Sequence, residues 1–325
     1  GRPARESEPG GSVVWHRIRW RPFHRFFRFR ARPQVLALVD ELRPDALMER
    51  YYNFGGEGLR AAAARGVPAL LEVNAPVLDH PGSWKGALDA VLLLRPMRRY
   101  RESLCRQARA LVSPLPGIVP EFARPRTTTV TWGANVEAFT PARRSGELRR
   151  ELGVPEGATA VVFVSSFRPW HGEHVLRAAA ASLRERADLF FVLVGGERRG
   201  PTPGFRGVEL GRVDYERLPA IVASCDVGVA PYDTARLAQL QLGFFWSPLK
   251  VFEYMAAGLP TVTIAHPPLD DIVRPGQEGL AMRDGDPRSL AEQLRLLAGD
   301  APLRARLGRS ARERVVARFS WARHC

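Results

Sequence analysis

Apolar runs of five to seven residues, alternating with helix-patterned stretches, constrain this chain more than any other feature. The alternation is clean in the second half. A strand expected at 159–165 leads through Ser166-Phe-Arg-Pro-Trp-His171 to a helix at 173–185, and a strand at 189–194 ends in Gly195-Gly196. A helix at 216–224, strands at 226–230, 261–264 and 279–282, and helices at 288–298 and 302–318 follow. Runs without apolar–polar alternation must be covered on both faces, and intervening helices supply the cover, so a parallel sheet is expected. The first half is less regular. It reads as helices at 34–42 and 56–65, strands at 45–50 and 69–74, helices near 85–95 and 97–109 broken by Pro96, and strands near 110–113 and 127–132. The expected class is α/β, with two Rossmann-like parallel-sheet domains facing a cleft: 1–140, a connecting segment 141–157, and 158–325. Ligands of such sheets lie beyond the carboxyl ends of the strands. Pro169-Trp-His-Gly172, Gly195-Gly196 and 247–250 all follow expected strands on that side.

The stretch Ser247-Pro-Leu-Lys-Val-Phe-Glu-Tyr-Met-Ala-Ala-Gly258 reads as a helix whose front end holds an anion. Ser247 is a good N-cap and Pro248 suits the first helical position, where a missing N–H costs nothing. Gly258 supplies the stop, and Pro260 forbids continuation. Free amides of Leu249 and Lys250, with the helix dipole, favour a phosphate there. Lys250 and Glu253 share a face, so a cation and a carboxylate can address one ligand, as a diphosphate joined to a sugar diol requires. The local pattern reads equally well as an amphipathic core helix with an incidental ion pair. The 48 basic residues comprise forty-six arginines and only Lys85 and Lys250. Where arginine is the default cation, a lysine points to a use for its compact charge.

Length predicts two domains with ample core, and the net charge of +14 invites a nucleic-acid reading. The arginines are spread along the chain, however, and no zinc-finger spacing or RNA-binding aromatic motif accompanies them. Phosphorylated ligands or an anionic membrane surface suit the charge at least as well. Cys105, Cys225 and Cys325 give neither a disulfide framework nor metal spacing, and cytoplasmic, reducing surroundings are the default. No apolar run approaches the roughly 20 residues that span a bilayer. Residues 13–32 interleave Trp15, Ile18, Trp20, Phe23, Phe26, Phe27 and Phe29 with arginines, which suits either peripheral membrane contact or a surface helix packing its aromatics inward. Both ends look cut.

Arg168 and His171 sit in a strand-to-helix loop that can bring donors to a phosphate held at a helix start. Gly195-Gly196 allows close backbone approach to a ligand or makes an ordinary turn. Glu72 and Asn74 end an apolar strand of the first half. There is no Ser–His–Asp spacing, metal cluster or Walker loop, which argues against hydrolase, metalloenzyme and P-loop readings.

Taken in order, Arg43-Pro-Asp45, Leu71-Glu-Val-Asn-Ala-Pro76, Trp132-Gly-Ala-Asn-Val-Glu-Ala-Phe139, Ser165-Ser-Phe-Arg-Pro-Trp-His-Gly172, Val192-Leu-Val-Gly-Gly196, Cys225-Asp-Val-Gly-Val-Ala-Pro231 and the Ser247 stretch resemble the family 4 glycosyltransferases of the GT-B fold, over nearly all of 33–325. The resemblance implies transfer of a sugar from a nucleotide-diphosphate sugar to a glycan or lipid-linked acceptor, with retention, without a metal and without a further cofactor. It places Glu253 at the nucleotide ribose, Ser247, Pro248, Leu249 and Lys250 at the donor's sugar and diphosphate, and Asn74 where many members carry a His. His171 falls where many carry a phosphate-binding Lys and Ser166 where they carry Arg, so Arg168 is expected to supply that charge. Lys250, Arg168 and Asn74 are the expected catalytic residues; Glu253, 247–249, His171, Gly195 and Gly196 are expected to bind the donor. Phe245 stands where the family's first glutamate usually sits, so donor identity does not carry over. The opening strand and glycine-rich loop of the first domain are absent from the sequence. A nucleotide-sugar epimerase, a silent relative on the same scaffold, and a membrane-docked scaffold are the alternatives, with a nucleic-acid-binding protein behind them.

Overall fold

The computed structural model describes residues 4–7, 14–18, 28–80, 82–92, 95–196 and 205–324. The chain divides into two units, 1–130 and 131–325. In the first, β1 (Ala4–Ser7) and β2 (Val14–Arg17) pair antiparallel. A parallel sheet runs in chain order through β3 (Leu47–Arg50), β4 (Ala69–Glu72), β5 (Ala110–Ser113) and β6 (Thr127–Thr129). With it go α1 (Arg32–Leu42), α2 (Glu57–Ala63), α3 (Trp84–Val91) and α4 (Pro96–Gln107). The basic aromatic stretch therefore contains a strand, β2, and a 3-10 turn at Arg28–Ala31, where a surface helix was one of the two expectations. Trp15 is exposed; Trp20, Phe23, Phe26 and Phe27 lie outside the described residues, as does Cys325.

Pro96 opens α4, where its missing N–H is harmless, and the Asp89 carboxylate from α3 accepts from Met97 N (2.9 Å) and Arg98 N (2.7 Å). Beside it Arg101, 1% exposed, donates to Val77 O at 2.5 Å and to Asp79 Oδ1 at 2.6 Å. Removing this guanidinium strands the half-buried Asp79 carboxylate and the Val77 carbonyl, and takes a cation from beside the buried Asp89, 3.9 Å away. Arg101→Met is expected to destabilise the chain by about 3–5 kcal/mol, read as a drop in urea midpoint. A loss under about 1 kcal/mol, the size of an exposed pair, would contradict that account.

The second unit holds β7 (Thr159–Val164), β8 (Leu189–Val194), β9 (Gly207–Glu209), β10 (Val227–Ala230), β11 (Thr261–Ile264) and β12 (Gly279–Met282). Their order is β12-β11-β10-β7-β8-β9 and every neighbouring pair is parallel. Counted from β7 this is the doubly wound order 3-2-1-4-5-6. All side chains of β8, β10 and β11 are buried, as uninterrupted apolar runs require. The helices are α5 (Gly146–Glu151), α6 (Glu173–Ser182), α7 (Leu218–Ala223), α8 (Leu249–Ala256), α9 (Leu269–Ile272), α10 (Pro287–Gly299), α11 (Ala301–Arg318) and α12 (Trp321–His324). α6 packs on α10, and α8 on α11.

The stretch 141–157, expected as a connection, is folded into this second unit. Ser145 caps α5 by accepting from Leu148 N at 3.1 Å. Arg144 and Arg149 clamp Asp226 at 2.6 and 2.9 Å, just ahead of β10. Two guanidiniums and the Ala160 amide (2.7 Å) around one carboxylate hold the segment against the amino ends of the two central strands. Among the described residues no helix is long and apolar enough to cross a membrane.

Candidate functional site

The strand order reverses between β7 and β10, which are hydrogen-bonded neighbours, and the two loops leaving their carboxyl ends meet there. Asp233 N donates to Trp170 O at 3.1 Å, joining one loop to the other. Gly172 lies against Pro231: a Cβ on it would come within 1.6 Å of the Pro231 carbonyl oxygen. This contact is why the residue between the loop and α6 has to be glycine, at φ 78°.

In the β7 loop, Ser165 Oγ accepts from the Phe167 amide at 2.9 Å and lies 2.7 Å from His171 Nδ1. Burial, then the nearby Lys250 and Arg168 charges, push the His171 imidazole down to about 3, so it is neutral at pH 7. A Ser165 hydroxyl that donates a hydrogen bond to Nδ1 leaves the ring proton on Nε2, free to be donated. Arg168 is exposed and forms no ion pair among the described residues. Phe167 has φ 51° and stacks on Phe163, with centroids 5.7 Å apart.

Gly195 and Gly196 end β8 next to this loop. Their missing side chains make room for protein: a Cβ on Gly195 would fall 1.9 Å from Ser165 O, and one on Gly196 would fall 1.8 Å from the Phe167 ring. The pair shapes the loop that carries Arg168 and His171.

The β10 loop runs through two 3-10 turns, Thr234–Arg236 and Ala238–Leu242, before entering α8. α8 begins one residue later than the sequence suggests. Pro248 is its N-cap, and Ser247 makes no capping bond. Instead Ser247 Oγ is shut off from solvent with no hydrogen-bond partner. The first bonded amide is that of Val251, to Pro248 O at 2.8 Å, so the amides of Leu249 and Lys250 precede the helical ladder. Gly258 (φ 75°) closes the helix with Leu259 N donating to Tyr254 O at 3.0 Å.

Lys250 turns its stem outward only in part; its Nζ is out of solvent and has no hydrogen-bond partner. The ammonium lies 4.8 Å from the Phe163 ring and 5.4 Å from the Tyr232 ring, faces that offer weak cation–π support. Burial pushes the Lys250 ammonium down to about 7, with Glu253 pulling the other way. Glu253 is 8% exposed, and burial pushes its carboxyl up to about 7 against the pull of Lys250. No ion pair within 4 Å joins the two, so each is available to a third group. An orphan ammonium, an orphan hydroxyl, two free amides, a neutral imidazole and an exposed guanidinium converge here. Donors of these kinds suit an anion.

The sequence model of the family described as "Glycosyl transferases group 1" matches residues 158–300. Residues 158–300 are thus similar to the members of that family. The matched stretch begins one residue before β7 and ends one residue past α10. Among curated proteins the chain is similar to a D-inositol 3-phosphate glycosyltransferase of Corynebacterium efficiens, 33% identical over 215 residues, covering 61% of this chain and 48% of that one. It is also similar to spore coat protein SA of Bacillus subtilis, 28% identical over 220 residues, covering 62% of this chain and 57% of that one. The chain spans about half the length of the curated relatives it matches. In fold it is similar to the Anabaena protein HepE solved with UDP, with TM-score 0.70, 18% identity, and 91% of this chain and 79% of that one covered. The sucrose-phosphate synthase of Thermosynechococcus elongatus gives TM-score 0.69 at 18% identity, over 99% of this chain and 83% of that one. Both units are therefore the Rossmann-like halves of a GT-B fold.

The second unit brings together Lys250, Ser247, Pro248, Leu249, Glu253, His171, Arg168, Gly195 and Gly196. Asn74 stands in the other unit, just past β4. Oriented to satisfy its neighbour, its amide oxygen accepts from Arg50 at 2.5 Å, and Arg50 also faces Glu72 at 3.9 Å. Sequence reasoning missed three parts of the site. They are the Ser165–His171 bond, the Phe163 and Tyr232 faces around Lys250, and the aromatic packing behind Trp246. The only local signal was the density of aromatic residues at 244–246.

Proposed function

We propose that the chain transfers a sugar from a nucleotide-diphosphate sugar to a hydroxyl of a glycan or lipid-linked acceptor, with retention and without a metal. One observation carries the reading: the unpartnered Lys250 Nζ and Ser247 Oγ at the opening of α8, beside the β7/β10 switch point. HepE, similar in fold, has been solved with UDP and with UDP-glucose, which supports a nucleotide-sugar donor. In the step, the bond between the anomeric carbon and the phosphate oxygen breaks and the acceptor oxygen takes its place. The acceptor's proton passes to the departing diphosphate. Charge builds on that diphosphate, so pre-oriented donors stabilise the transition state more than the ground state. Lys250, Arg168, the Leu249 and Lys250 amides and His171 Nε2–H fill that role, while Glu253 accepts from the ribose hydroxyls. The basic stretch 13–32 would bring this chemistry to an anionic membrane face.

Calorimetric titration with UDP, GDP and ADP tests the reading. One of the three is expected to bind, and Glu253→Gln to weaken that binding about tenfold, as loss of a charge-assisted hydrogen bond would. Absence of binding by all three removes the proposal.

A further inference from the structure

Immediately ahead of the anion-ready turn stands Trp246, 40% exposed between the buried Phe245 and the half-buried Ser247. It is held in place. Its ring centroid lies 5.3 Å from that of Trp170, tilted by 46°, and 6.0 Å from that of Phe245. Trp170 is itself 7% exposed and packs edge-on to His171 at 4.1 Å, and near Tyr232 and Phe244 at 6.0 and 6.2 Å. The exposed indole is therefore the outer plate of a buried aromatic stack. The inner plates of that stack are the groups that surround the phosphate donors: His171, and the Tyr232 ring beneath Lys250.

Exposure alone would say little, but Trp246 is held by ring contacts next in sequence to the unpartnered Ser247 hydroxyl, which places it where a ligand can meet it. What it binds follows from its surroundings. The donors for a diphosphate lie on its C-terminal side, from Ser247 to Lys250, and Glu253 lies one turn further along α8. If the nucleotide end occupies the Glu253 side, the group on the other side of the diphosphate is the sugar. The stretch 237–249 contains no Asp or Glu, so this segment itself supplies no carboxylate to read sugar hydroxyls. It offers an indole face, whose negative quadrupole attracts the polarised C–H groups of a pyranose ring.

We infer that Trp246 is the platform on which the donor's sugar ring stacks, and that this sugar is a neutral pyranose presenting a C–H face. The inference rests on the donor reading given above and deepens it. Phe245, buried at 1% exposure, backs the plate. Trp246 sets sugar affinity and leaves the nucleotide contacts alone.

The test compares Trp246→Ala and Trp246→Phe with the natural chain in calorimetric titrations. The probes are UDP, GDP and ADP, each alone and as UDP-glucose, GDP-mannose or ADP-glucose. For the nucleotide that binds, Trp246→Ala is expected to lose at least about tenfold in affinity for the nucleotide sugar while the bare diphosphate binds within about twofold of the natural chain. Trp246→Phe is expected to keep most of the sugar affinity. Retained diphosphate affinity also reports that the site is folded. Equal losses for diphosphate and nucleotide sugar in both variants, or no loss in either, would overturn the platform and leave the nucleotide reading standing. Failure of the natural chain to bind any of the three diphosphates would overturn both.

Discussion

Lys250→Met is expected to make the protein more stable near pH 7 and to remove most of its turnover. The two effects share one cause. The ammonium is desolvated and has no hydrogen-bond partner, which is a cost to the empty fold and an asset once a diphosphate arrives. The pH dependence follows from the shifts. Lys250 titrates near 7 in the folded chain against an ordinary 10.5, so its penalty is complete below about 7 and is relieved as pH rises toward 10.5, where the unfolded chain holds the extra proton. Glu253 titrates near 7 against an ordinary 4.5, so its penalty is complete above about 7 and is relieved as pH falls toward 4.5. Both penalties are present near neutrality. Methionine fills similar volume without charge, and removing a buried polar group that has no partner relieves a desolvation cost of about 1–3 kcal/mol. The gain should show as a higher urea midpoint at pH 7 that shrinks at pH 10. In a donor-consumption assay the same variant is expected to lose on the order of 10²–10³ in turnover, the scale of one pre-oriented charged donor. A variant less stable at pH 7, or fully active, contradicts the role assigned to Lys250.

The parts of this molecule that were legible in the sequence are those fixed by local composition. β8, β10 and β11 are continuous apolar runs that only a doubly covered parallel sheet can hide. The α8 stop at Gly258 follows from its positive φ and the proline beyond it. The parts that were illegible depend on distant partners. β9 is three residues, Gly-Val-Glu, with no apolar run, and becomes a strand because Phe191 and Val192 of β8 pair with it. α5 lies in an arginine- and glycine-rich stretch that resembles a connector until Arg144 and Arg149 find Asp226. Ser247 has the composition of an N-cap, but the cap is decided by the φ/ψ of one residue, and the chain turns at Pro248. The neighbours of Lys250 are Phe163 on β7 and Tyr232 beyond β10, which the sheet order alone brings together. Motif reading singled out Lys250, Glu253 and His171; only the topology shows what desolvates them.

Gly172→Ala is expected to be among the most damaging single-methyl additions in the second unit, and a matched control isolates the reason. Gly172 and Gly157 have nearly the same backbone, φ 78° and 74°. A Cβ on Gly157 would meet nothing within 4 Å, whereas on Gly172 it would lie 1.6 Å from Pro231 O and 2.6 Å from its carbon. Gly157→Ala should therefore cost only the left-handed backbone penalty, about 1–2 kcal/mol. Gly172→Ala adds an overlap with main chain that cannot rotate away, on the order of 1–3 kcal/mol more or a displaced loop. The displaced element would be either the β7 loop with Arg168 and His171 or the β10 loop with Tyr232, so diphosphate affinity should fall with stability. Urea midpoints and UDP, GDP or ADP titrations of the two variants provide the check. Equal costs for the two would mean that the loops do not rely on this close approach, and that the phosphate donors are held by α8 alone. A larger cost at Gly172 with unchanged affinity would mean that the loops relax apart without moving the groups that matter. The expected pairing of lost stability with lost affinity is what ties the glycine at the strand-order reversal to the chemistry built on it.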